Sequence, residues 1–333
     1  MFDTRIFLDI GSNHNKDYKR MKDIIDSIHN FKLRSSQGNF IKGVKVQIFQ
    51  PDKLWAESAF SPNIKDIESA SLPIEWLSDI LYMCYDNGLK FGISIFDDVS
   101  FDLVASKLSS ISREFVGGKF KDFLYFKISS FDILRIGGGS LVGKICDLAN
   151  WYDASVHIST GGASYGDLRN LTSFLQTKNI QHYVLYYCVS KYPALPQSVN
   201  LGTLMMLYDQ AQKFGNNRMK ELFEKGVGHR FIGYSDHTRN KAVVALAMMM
   251  AGNIELHYDL DDMSGLESKH GHCWGVSELE DLLRIFTQND SKIRNGIFLK
   301  DFHKMMPGVV FPNSVPDLRA DPEDGLRPLK IFR

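Results

Sequence analysis

Residues 231–258 read FIGYSDHTRNKAVVALAMMMAGNIELHY. Two short runs, FIGY at 231–234 and NIELHY at 253–258, carry the β-branched and aromatic residues that strands favour. Between them NKAVVALAMMMAGN is long and apolar enough for one covering helix. Strand, helix and strand in so short a span make one repeat of a parallel sheet, and apolar runs without alternation suit strands covered on both faces.

Outward from this unit the same rhythm recurs. Apolar runs bounded by turn residues stand at RIFLDI (5–10), GVKVQI (43–48), LKFGISIF (89–96), FLYFKI (123–128), SVHIS (155–159) and YVLYYC (183–188), which brings the expected strands to eight. Helical spacing separates several of them. In PIEWLSDILYMCYDNG from Pro73, residues Trp76, Leu77, Ile80, Leu81 and Cys84 share one face and Gly88 supplies the stop. GSLVGKICDLANWYD, GDLRNLTSFLQT, LGTLMMLYDQAQKF and VSELEDLLRIFTQ follow the same pattern. The expected architecture is α/β, a (β/α)8 TIM barrel over residues 1–298, with a doubly wound open sheet as the alternative. Residues 299–333, rich in Pro, Gly and charge, are expected to form an extended C-terminal tail.

Composition narrows the function. The chain has 39 basic and 39 acidic residues and no long block of either sign, so neither a nucleic acid nor an anionic membrane is an expected partner. Its N-terminal apolar run is too short for a signal-peptide core or a membrane span. Cys84, Cys146, Cys188 and Cys273 lack C-x-x-C spacing, which argues against a zinc knuckle or a disulfide framework. A cytoplasmic protein is expected.

In a barrel of this kind, chemistry sits at the C-terminal ends of the strands. Polar residues collect there: Asp9, Ser12, Asn13 and His14 after the first strand, Lys45 and Gln47 on the second, and Ser94 and Asp97 on the third. Lys127, Ser129, Ser130 and Asp132 close the fourth, Ser159 and Thr160 the fifth, Ser190 and Tyr192 the sixth. Ser235, Asp236 and His237 follow the seventh, and Glu255 and His257 lie on the eighth. Lysine inside an apolar strand is costly unless an anion meets it. Lys45 and Lys127 therefore point to a phosphate or carboxylate ligand, helped by Ser94, Ser130, Ser159 and the Thr160-Gly161-Gly162 turn; structural ion pairs to Asp9 or Glu255 are the alternative. His237 and His257, one βα unit apart, can share a metal and leave positions open for water and substrate, or serve as core histidines. The tract SGLESKHGHCWG (264–275) is expected to be a mobile polar loop at the mouth, its alternative being a solvated surface H-x-H.

Five blocks, LDIGSNHN, GVKVQIF, FKISSFD, ISTGGAS, and GYSDHT followed by IELHYDLDD, resemble in order and spacing the N-acetylneuraminate (sialic acid) synthases and their legionaminate and pseudaminate relatives. The resemblance implies a transferase that condenses phosphoenolpyruvate with an open-chain aldose, N-acetylmannosamine or a related hexose, to a nonulosonate-type 2-keto-3-deoxy acid. It implies that Lys45, Ser94, Lys127, Ser130, Ser159 and Ser235 bind phosphoenolpyruvate and that His237 and His257 hold Mn2+ or Mg2+. Ser190, Tyr192 and Glu267 are assigned to substrate binding, and Glu255, Asp9 and Asp132 to proton transfer. A homodimer is implied as well. Asp9 and Asp132 stand where the family usually has Glu, and Ser190 where it often has Asn. The family's C-terminal antifreeze-like domain is expected to be missing, with Arg319 or Arg327 of the tail as candidate replacements for its arginine. The alternatives are a Schiff-base aldolase using Lys127, a metal-dependent isomerase, or a catalytically silent sugar-acid-binding barrel.

Overall fold

The structure, a computed structural model, describes residues 4–54, 70–114 and 122–294. Its strands are β1 (Arg5–Asp9), β2 (Ile41–Ile48), β3 (Lys90–Ile95), β4 (Leu124–Ile128), β5 (Ser155–Ser159), β6 (Tyr183–Cys188), β7 (Ile232–Asp236) and β8 (Asn253–His257). All pair in parallel with their sequence neighbours, and β1 pairs with β8 to close the barrel. The expected (β/α)8 barrel is therefore the observed one. β5 and β6 match their expected bounds; β2 begins two residues earlier and β7 ends two residues later than expected. The tail, with Arg319 and Arg327, and the domain boundary before it lie outside the described residues.

Helices cover the outer face. Two of them, Tyr18–Arg34 and Asp98–Glu114, lie in segments not singled out above. The first carries Met21, Ile24, Ile25, Ile28 and Phe31 on one buried stripe, and the Asp17 carboxylate caps its amino end by accepting from the backbone N–H of Lys19 and Arg20. Outward strand residues such as Ile6, Val44, Ile93, Phe126, Val156, Leu185, Tyr234 and Leu256 are buried beneath such helices.

Side chains alternate along a strand, so the other set fills the barrel interior in tiers. The lower tier is aromatic. Tyr125 stacks on His157 at 4.3 Å between ring centres, and Phe7 meets both edge-on at 5.2 and 5.1 Å. The Tyr186 hydroxyl lies 3.1 Å from His157 Nδ1. Glycines on the intervening strands make room: a Cβ on Gly92 would fall 2.1 Å from the Tyr125 ring, and one on Gly233 2.4 Å from Tyr186. Two residues further along, the same strands present the next tier, which contains Asp9, Lys45, Ser94, Lys127, Ser159, Cys188 and Ser235.

The Gly92 contact gives a direct test of this floor. Gly92→Ala is expected to cost about 1–3 kcal/mol of stability through overpacking. Urea unfolding of that variant, beside Gly138→Ala, whose Cβ meets nothing within 4 Å, checks it.

Candidate active site

The upper tier is built around one carboxylate. Strand register sets Asp9 beside both Lys45 and His257, Ser94 beside Lys127, and Ser235 beside Glu255. Glu255 Oε1 accepts from Lys127 Nζ at 2.8 Å, Lys45 Nζ at 3.0 Å and the Ser235 hydroxyl at 3.1 Å. Lys45 also pairs with Asp9 Oδ2 at 2.8 Å, and Asp9 is held in turn by the Gln47 amide at 2.8 Å and the Gly11 N–H at 3.0 Å. Lys127 Nζ rests 4.0 Å above the Tyr186 ring centre, a cation–π contact that ties this tier to the aromatic floor. Two atoms stay unpaired although buried: Glu255 Oε2 and Ser94 Oγ.

Burial works against every charge here, and the pairings decide which keep it. Burial would raise the Glu255 carboxyl, but Lys127 and Lys45 hold it well below the usual carboxylate range. Burial would also discharge Lys45, but Asp9 and Glu255 hold its pKa above that of an ordinary lysine. Lys127 shares only Glu255 and faces Lys45, so burial prevails and its pKa is lowered. A carboxylate held so firmly ionised is a weak proton acceptor. In this state Glu255 fits the role of fixing the two lysines better than that of a base.

The serines on the β4 to β6 side form a second patch. Ser190 donates to Ser130 across 3.4 Å, and Ser130 Oγ lies 3.3 Å from Cys188 Sγ. Gly161 must be small there, because a Cβ would come within 2.5 Å of the Ser190 hydroxyl. Ser159 is buried at the end of β5. Asp132 opens the 3-10 turn Asp132–Arg135 after β4. It accepts from Ser129 at 2.6 Å and lines a cavity of about 400 Å3 with Lys53, Asp97 and Arg135. All four cysteines are buried free thiols.

Beyond β8 the loop differs from expectation. It is pinned rather than loose: Asn13 accepts from the Ser268 N–H at 2.9 Å, and Asp259 accepts from the Gly265 N–H at 2.8 Å and the Ser268 hydroxyl at 2.7 Å. Arg20 clamps Asp259 from the other side, and the Trp274 indole donates to Asp236 at 3.1 Å. The H-x-H is split, with His270 exposed and His272 buried. Glu267 and His272 are thereby carried to His257. His257 Nδ1 lies 3.2 Å from Glu267 Oε2, and His272 Nε2 lies 3.8 Å from Glu267 Oε1. His237 stands alongside, its ring centre 5.2 Å from that of His257, and Tyr192 packs on His237 at 4.1 Å. His237 Nδ1 faces the Val189 carbonyl, which can only accept, so Nδ1 carries the proton and Nε2 is left as a donor of electrons. His272 was missed as a site residue because its side chain reaches the others only through the loop's fold; the one signal was the alternation in H-x-H.

Residues 39–296 match the model described as the NeuB family. The spore coat polysaccharide biosynthesis protein SpsE of Bacillus subtilis is 24% identical over 76% of this chain and 61% of its own length. The pseudaminic acid synthase of Helicobacter pylori is 24% identical over 77% of this chain and 66% of its own. The chain thus spans 61–66% of the length of these two curated relatives. The N-acetylneuraminic acid (sialic acid) synthetase of Leptospira borgpetersenii, solved in complex with citrate, shares the fold with a TM-score of 0.60 at 20% identity, over 90% of this chain and 93% of that one.

The lysine tier predicts an acid-sensitive contribution to stability. Because the folded pKa of Glu255 lies below its ordinary 4.5, its contribution is complete above that pH and is lost as pH falls through the folded value. Glu255→Gln, which removes the negative charge that both lysines share, is expected to cost about 3–5 kcal/mol at neutral pH. Urea denaturation at several pH values should show the gap to wild type narrowing in acid.

Proposed function

The chain belongs to the NeuB family, and on that premise we propose that it condenses phosphoenolpyruvate with an open-chain N-acylated hexose such as N-acetylmannosamine. The products would be a nonulosonate-type 2-keto-3-deoxy acid and inorganic phosphate. The balance requires one water: a bond forms between C3 of phosphoenolpyruvate and the aldehyde carbon, water adds at C2, and the bond to phosphate breaks. The observation that carries the reading is the pair of buried ammonium groups, Lys45 and Lys127, joined through one carboxylate at the catalytic end of the barrel.

On this reading Lys45 and Lys127 hold the carboxylate and phosphate of phosphoenolpyruvate, with Ser94, Ser130, Ser159, Ser190 and Ser235 donating hydrogen bonds. An anion competing for the lysines withdraws partners from Glu255 and so raises its pKa. Ligand binding itself would then turn Glu255 from a fixed counterion into a group able to take a proton from the attacking water. Asp9, which holds Lys45, orders the same tier. Tyr192 and Glu267 face the acceptor, and Asp132 reaches it from the neighbouring cavity. His237 and His257 are the residues that would hold a divalent ion, Mn2+ or Mg2+, and unpaired buried donor atoms at His257 and Glu267 fit that assignment. Such an ion supplies Lewis acidity toward the aldehyde oxygen.

The lowered pKa of Lys127 favours one second reading, a Schiff-base aldolase, since imine formation needs a neutral amine. Phosphate release separates the two. Metal-stripped protein given phosphoenolpyruvate is expected to release phosphate only when a divalent ion and a suitable N-acylated aldose are both restored, and Lys127→Met is expected to lower the rate at least about a hundredfold. Release with no acceptor requirement, or borohydride trapping of substrate on Lys127, would overturn the condensation.

A further inference from the structure

The donors around His257 are more numerous than a two-histidine metal site needs. One ligand atom each from His257, Glu267 and His272 can be chosen so that all three lie within 4.8 Å of one another. His257 and His272 are each no more than 4% exposed. His257 Nδ1, Glu267 Oε2 and both ring nitrogens of His272 make no hydrogen bond. A buried polar atom left unpaired costs about 1–3 kcal/mol, so one such atom from each of the three residues, gathered in one place, calls for a shared partner.

The backbone also makes way for this group. Gly11 adopts φ +51°, and a Cβ there would lie 1.7 Å from Glu267 Oε2, so the carboxylate occupies the place of a missing side chain. The ring centres of His257 and His272 are 4.6 Å apart, His237 and His257 5.2 Å, and His237 and His272 6.1 Å. Imidazoles bound to one ion at about 2.1 Å have ring centres roughly 4.5 Å apart when at right angles and roughly 6.5 Å apart when opposite. A simple His-Glu-His hydrogen-bonded chain fits less well: the 3.2 Å approach of His257 Nδ1 to Glu267 is an ion-pair contact off the hydrogen-bond direction, and the 3.8 Å approach of His272 is too long for a hydrogen bond.

We infer that Glu267 and His272, brought in by the loop after β8, join His257 and His237 as protein ligands of a single divalent cation. This rests on the reading that the barrel mouth holds such an ion, and it extends the ligand set beyond the two strand-end histidines. Three imidazoles with one carboxylate suit a first-row transition ion, whereas Mg2+ prefers oxygen ligands and retains its waters. The site therefore takes Mn2+, or another imidazole-binding ion, in preference to Mg2+. It also leaves fewer open positions for water and acceptor than a two-histidine site.

The test uses the full chain, stripped of metal and labelled with 15N-histidine. Mn2+ binding is followed by the electron paramagnetic resonance of the free ion, and pulsed measurements count the coupled imidazole nitrogens. Three imidazoles are expected in the wild type, with Mn2+ retained in tenfold excess Mg2+. His272→Gln should lose one coupling and weaken Mn2+ binding about tenfold or more, while His270→Gln, at the exposed neighbour, should change neither. Two imidazoles in the wild type, or couplings and affinity unchanged in His272→Gln, would overturn the proposal while leaving the two-histidine site intact. A wild-type chain that takes up no divalent ion would overturn that site as well. Should His272→Gln fail to fold, the wild-type coupling count decides.

Discussion

Two ammonium groups buried inside a barrel set the terms for everything above them. Removing Lys45 and Lys127 from water is affordable only because Glu255 and Asp9 meet them at 2.8–3.0 Å. That arrangement fixes strand register, since a slip of one residue would turn each lysine outward into an apolar helix face. It also sets the lysine tier directly above a floor closed by Phe7, Tyr125, His157 and Tyr186. Ligand charge arriving at the mouth meets two cations already in place and a carboxylate that can be displaced.

β8 links the two halves of the site. Glu255 and His257 are two residues apart on one strand, so both point inward, one into the lysine tier and the other into the histidine group. Asp9 lies in register with His257 and pairs with Lys45, 3.6 Å from the His257 ring nitrogen. A change in charge on either side is therefore felt on the other within a few ångströms and with little water to screen it. For a reaction that joins an anion to an aldehyde, this proximity brings the two reactants together without a large movement of the scaffold.

The loop after β8 shows how polar bonding outside the barrel shapes its mouth. Asn13, Asp259 and Arg20 touch neither lysine, yet they fix Ser268 and Gly265 and so the direction in which Glu267 and His272 point. The Asp132 cavity, with Lys53 and Arg135, opens beside this centre rather than within it. Its mixed charge is suited to a polar, hydroxyl-rich molecule, and under the proposed reaction it is where the acceptor would extend.

The amino-acid order by itself determined the barrel, because apolar strand runs and helical stripes recur with a period that local physics reads directly. It determined which strand ends carry Lys45, Lys127, Glu255, His237 and His257, since placement at a strand end follows from counting along the chain. The two helices at Tyr18–Arg34 and Asp98–Glu114 were equally legible, each following an aspartate, Asp17 and Asp97, that accepts from the backbone of its first turn. What only the tertiary structure decided is who meets whom. That both lysines share Glu255, that Asp132 turns to another cavity, and that His272 is buried against Glu267 while His270 faces water all depend on contacts between residues distant in sequence. Such contacts follow from three-dimensional closure and from hydrogen bonds that span the chain, as between Asn13 and Ser268, and neither leaves a period in the sequence.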